Sequence, residues 1–196
     1  MSIIDTSIKY SFLAEFHIII SDFHNILNFI EPSNENLETF SHRIFELLLR
    51  TATSFEAVSK RILINDGYET TPKKMNMKDY FTLNKVYKLT EYTLIIDSWR
   101  SGAKLLQPYK QWQNDTYSRL SWYTAYNNSK HDRHQNFKEA NLENLLNAIG
   151  GLFILLYSQF GSDTFNNYQE NTDFDIDDRG FISYPNFFFA IKTPLE

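Results

Sequence analysis

The chain has 196 residues, 42% of them hydrophobic, with no cysteine and a net charge of −5. That length encloses one sizeable core without disulfides or a structural metal, and the lack of thiols excludes a disulfide framework and thiolate chemistry. The acidic balance argues against a general nucleic-acid coating surface, which needs clustered Lys and Arg, and leaves room only for a local basic patch. Seventeen Phe and twelve Tyr imply a core of large flat side chains with phenol hydroxyls reaching its rim. The start lacks the basic and continuous apolar regions of a secretion signal, because Asp5 and Thr6 interrupt it, and the strongest apolar run, 148–157, is too short to cross a bilayer. With no cysteine to protect, the cytoplasm is the expected compartment.

Read in chain order, Phe12, Phe16, Ile19, Phe23, Ile26 and Ile30 recur at helical spacing and predict a first helix over 11–29, ended by Pro32. After the polar stretch 33–36, Ile44, Leu47, Leu48, Thr51, Phe55, Val58 and Ile62 fall on one face of a second helix, with Gly67 at its C-terminal cap. Its other face carries Arg43, Glu46, Arg50, Glu56 and Lys60, and reads as a solvated charged surface. Residues 68–74 are turn-like, and 77–87 predict a short helix. The run 92–96 is compatible with either a strand or a continuing helix, and periodicity does not separate the two. Residues 105–112 read as a connector packing its aromatics inward, and Asp115 as the cap of a helix over 116–130 that places His131 at its C-terminal end.

A last helix over 136–160 presents Leu142, Leu145, Leu146, Ile149, Leu152, Phe153, Leu156 and Phe160. Gly150 and Gly151 in its middle cost about 1 kcal/mol each against alanine, so close approach of another helix backbone is the expected reason for them, in a central or dimer-contacting helix. Beyond Gly161, the polar stretch 166–171, the turn 177–180 and the extended runs 181–184 and 187–191 predict a hairpin-like tail. The chain thus reads as one mostly α domain over 1–196: an antiparallel bundle of about five helices, with a helical core over about 10–160 and a short β-like tail over about 161–196.

The chemistry concentrates in Tyr126-Asn-Asn-Ser-Lys-His-Asp-Arg-His134. Cleaving RNA without a metal needs a base for the 2′-hydroxyl and a cation for the phosphorane, roles that His131 with Arg133 or Lys130 would fill. Asn127 lies four residues before His131 and shares its helical face. The bland reading is a polar helix terminus with a capping His and a solvated turn. His131 and His134 lack a second ligand pair, so no metal is expected, and the acidic run from Asp173 to Asp177 lacks the Gly and Glu of a calcium loop.

The segment 45–60, together with 122–131 and the apolar helix that follows, resembles the HEPN superfamily over roughly residues 10–160. The resemblance implies a helical bundle of prokaryotic defence or toxin-antitoxin systems, acting as a homodimer that binds RNA, in active members as a metal-independent RNase without cofactor. It further implies an antitoxin-like protein partner. In the family motif an Arg and a polar residue precede a His by four to six positions; here His131 and Asn127 match, while Tyr126 stands at the Arg position. Tyr supplies no fixed positive fork, so Arg133 or Arg50 is the candidate replacement, with Tyr126, Asn127, Lys130 and His134 as binding residues. Whether the chain is an enzyme stays open, and a non-catalytic helical dimerisation or protein-interaction module is the competing reading.

Overall fold

A computed structural model describes residues 5–68, 74–165, 175–184 and 188–194. The turn residues 69–73, the polar stretch 166–171, Asp173 and Phe187 lie outside them. Helix α1 (Thr6–Leu27) begins earlier than its apolar pattern, because the Asp5 carboxylate accepts the Ser7 backbone N–H at 2.8 Å and caps the first turn. Helix α2 (His42–Asn65) starts at Ser41, whose hydroxyl accepts the Ile44 N–H at 3.2 Å. It ends as Gly67 requires: Gly67 takes φ +78°, its N–H bonds the Ile64 carbonyl, and the Tyr68 N–H bonds that of Leu63. These paired bonds satisfy carbonyls that the helix itself leaves open. Helix α3 (Met77–Tyr87) opens on a reciprocal cap between Asn76 and Asp79.

The undecided run is strand β1 (Thr93–Ile96), paired antiparallel with β2 (Lys104–Leu106), which takes the start of the expected connector. Leu94, Ile95 and Ile96 are all buried, so both faces are covered and no alternation marks the strand in the sequence. The remaining connector packs inward as expected: Tyr109 and Trp112 are buried, and the Tyr109 hydroxyl donates to the Gly151 carbonyl at 2.6 Å.

Two boundaries differ from expectation. Residues 110–115 form a 3-10 turn, and helix α4 (Ser121–His131) starts after Leu120 with no side-chain cap, so its cap position is Leu120 and not 115. The last helix is also interrupted: α5 (Arg133–Asn136) and a 3-10 turn over Phe137–Glu139 precede α6 (Leu142–Phe160). A new start is favoured because the Asn141 side chain accepts the Asn144 N–H at 3.0 Å. Replacing Asn141 by Ala is expected to cost about 1 kcal/mol in urea unfolding. Unchanged stability would show that this cap contributes nothing.

Helix α6 is the axis of the core, packed against α1, α2 and α4, with 148–157 buried throughout. The glycines on it admit side chains rather than a helix backbone: a Cβ at Gly150 would meet Leu94 Cδ1 at 2.8 Å, and one at Gly151 would meet Trp122 Cζ2 at 3.2 Å. No helix among the described residues is long and apolar enough to cross a membrane.

The tail is more than a hairpin. Strands β3 (Asp175–Ile176), β4 (Ile182–Ser183) and β5 (Ala190–Lys192) join β1 and β2 in an antiparallel sheet ordered β2-β1-β5-β4-β3. The expected 177–180 turn joins β3 to β4, where Asp177 accepts the N–H groups of Arg179 and Phe181 and Arg179 also bridges to Asp97.

Candidate functional site

Helix α4 turns Trp122, Ala125, Tyr126 and Ser129 into the core and leaves Lys130 and His131 exposed at its end. Tyr126 is 1% exposed, and its hydroxyl accepts a hydrogen bond from Lys130 Nζ at 2.9 Å, a contact that holds the ammonium pKa above its ordinary value. The cation at this position therefore comes from Lys130, one helical turn along.

A carboxylate from α2 organises the same wall. Glu56 accepts the Tyr123 hydroxyl at 2.7 Å, and its second oxygen lies 3.6 Å from Lys60 Nζ. Burial first, then this bond to Glu56, pushes the Tyr123 phenol pKa far above its ordinary value. The Tyr80 phenol is raised too, by burial and then by the charge of Glu56. Glu56 and Lys60 are thus a partly buried pair that fixes Tyr123, in addition to forming the charged face expected of them.

The other candidate residues separate. His131 is exposed, and its ring has no hydrogen-bond partner among the described residues. Asp132 caps the short α5 through the Gln135 N–H at 3.2 Å, which carries Arg133 away toward α2. There the Arg133 guanidinium contacts His42 Nδ1 and lies over the rings of Phe45 and Phe137, 4.5 and 5.1 Å from their centroids. His134 is exposed with Gln135 beside its ring at 3.4 Å, and Asn127 lies on the outer face of α4. Arg50 pairs with Asp22 of α1 and lines a groove of about 630 Å³ between α1 and α2. Arg50 therefore belongs to the α1 side of α2, while Arg133 belongs to its N-terminal end.

His42, Phe45 and Phe137 are the residues that sequence reading missed. His42 and Arg133 are 91 positions apart, and nothing local marks either as the other's partner. Among the described residues no group of three or more His, Cys, Asp or Glu is placed to hold a metal. Comparison with family models, curated proteins and solved structures finds no match.

Proposed function

We propose that this chain is a HEPN-like RNA-binding protein that grips single-stranded RNA at the end of the bundle where α4 and α5 meet the start of α2. The observation that carries this reading is Arg133, an exposed guanidinium held over Phe45 and Phe137 and fixed by His42. A planar cation immobilised on aromatic rings offers its outer face to an unstacked base and its free N–H groups to a phosphate, at little entropic cost. Lys130, His131 and His134 are exposed close by along the chain and add local positive or titratable character to an acidic protein. In this bundle α2 and α4 both pack on α6. With the HEPN resemblance comes the proposed setting: a cytoplasmic homodimer of a prokaryotic defence or toxin-antitoxin system, with an antitoxin-like partner.

Binding is favoured over cleavage because the residue at the motif's Arg position is the buried phenol Tyr126. The unpartnered ring of His131 supports a second reading as a metal-independent RNase, in which that imidazole is the base. One experiment tests both. Labelled single-stranded RNA is incubated in EDTA with the protein and its Arg133→Ala and His131→Ala variants. Arg133→Ala is expected to weaken binding by roughly tenfold, the scale of losing one stacking or phosphate contact, while His131→Ala binds like the parent. Absence of binding at low salt, or an Arg133→Ala variant that binds like the parent, would sink the proposal. Cleavage that disappears in His131→Ala would establish the RNase reading instead.

A further inference from the structure

We infer that a second surface, the groove between the start of α3 and the outer face of α4, holds one nucleotide of the bound strand, with its phosphate between Lys78 and Arg119 and its base against Tyr117. This rests on the RNA-binding reading and extends it to a site that the motif does not contain. The groove has a volume of about 480 Å³, within the usual range of small-ligand sites. Its wall includes Lys78, Tyr117, Arg119, Tyr123, Thr124 and Asn127, and no carboxylate among the described residues.

Carboxylates pair some cations of this acidic chain: Arg50 with Asp22, Arg43 with Glu46, Lys60 with Glu56, and Arg179 with Asp97 and Asp177. Lys78 and Arg119 are exposed and have no partner among the described residues. Two such cations in the wall of one groove complement a phosphodiester. Tyr117 is half-buried and held edge to face against Phe81 with centroids 5.8 Å apart, a fixed platform on which a base stacks without sequence preference. The Asn127 amide has no partner among the described residues and can both donate to and accept from a base edge.

Continuity with the first surface comes from helical geometry. Thr124, Asn127 and His131 follow one another at intervals of three and four residues on the exposed side of α4, so the groove leads along that helix to His131. An acidic peptide would match the two cations but would leave the Tyr117 ring and the Asn127 amide unused.

The test is fluorescence anisotropy with a labelled single-stranded oligoribonucleotide, read across a salt series. It compares the full chain with the Lys78→Gln/Arg119→Gln double variant, Tyr117→Leu and Arg133→Ala. The double variant is expected to lose about tenfold or more in affinity at low salt and to flatten the log K against log salt slope by about 0.7 per cation removed. Tyr117→Leu should lose roughly tenfold without changing that slope. If the parent binds and the double variant keeps its affinity and slope, the groove assignment fails while the RNA reading stands. An unchanged affinity of Tyr117→Leu overturns the placement of the base. Failure of the parent to bind RNA defeats both. Thermal melts of each variant confirm that these exposed or half-buried substitutions leave the fold intact.

Discussion

Trp122→Ala is expected to lower the unfolding free energy by about 3–5 kcal/mol in urea titration, the range for emptying a buried aromatic site. The indole is 1% exposed, stands edge to face with Phe55 at 5.2 Å, and fills the space that Gly151 leaves on α6. Its Nε1–H donates to the Pro108 carbonyl at 3.0 Å, so truncation also leaves a buried acceptor without a donor. One side chain here ties α4, α2, α6 and the connector together, and native proteins hold only about 5–15 kcal/mol in total. Trp122→Phe keeps one aromatic ring but loses the N–H and the outer atoms of the indole, and should cost about 1–3 kcal/mol. A Trp122→Ala protein within about 1 kcal/mol of the parent would mean that the core closes over the gap without loss.

Alkaline pH should unfold the protein steeply, because the same aromatic core holds its phenols neutral. Burial pushes the Tyr92 phenol up to about 12 and also raises Tyr80, Tyr87, Tyr109 and Tyr123 well above the ordinary value. In the unfolded chain these groups ionise near pH 10. Their contribution to stability is therefore complete below pH 10 and is lost as pH rises toward the folded values. Each phenol that remains protonated only in the folded state removes about 1.4 kcal/mol per pH unit above 10, so several together exhaust a marginal stability within one to two units. Far-ultraviolet circular dichroism and tyrosinate absorbance, followed together from pH 8 upward, should show a cooperative transition in which the buried tyrosines ionise as helix is lost. Gradual tyrosinate formation near pH 10 with the helical signal intact would contradict this.

Residues with local causes were legible in the sequence. The apolar stripes of α2 and α6, that of α1 from Phe12 to Ile26, the Gly67 cap and the turn after Asp177 each follow from neighbours a few positions away and lie where spacing places them, whereas α1 ends at Leu27 and leaves Ile30 outside it. Long-range causes were not legible. Strand β1 carries no alternation because sheet partners and helices cover both of its faces, and the glycines of α6 answer to Leu94 and Trp122 rather than to a helix. At the candidate site, the helix end bearing His131 was evident from the sequence, whereas the grip of His42 on Arg133 and the tie of Glu56 to Tyr123 depend on how α2 lies against α4. Lys78 and Arg119 had no signal at all. What distinguishes them is that the start of α3 and the segment before α4 bring them into the wall of one groove, a property of the fold and not of the residues themselves.

The pairing of β1 with β5 has a consequence for how the molecule is completed. Thr93 meets Lys192, so a loop of about a hundred residues must close before that ladder forms, a non-local contact that forms slowly. Until the 190–192 segment arrives, one side of β1 presents unpaired amides and carbonyls, a template that a strand of another copy can occupy. Treatments that detach this segment while sparing the helices should therefore yield domain-swapped or aggregated chains before they yield unfolded monomers.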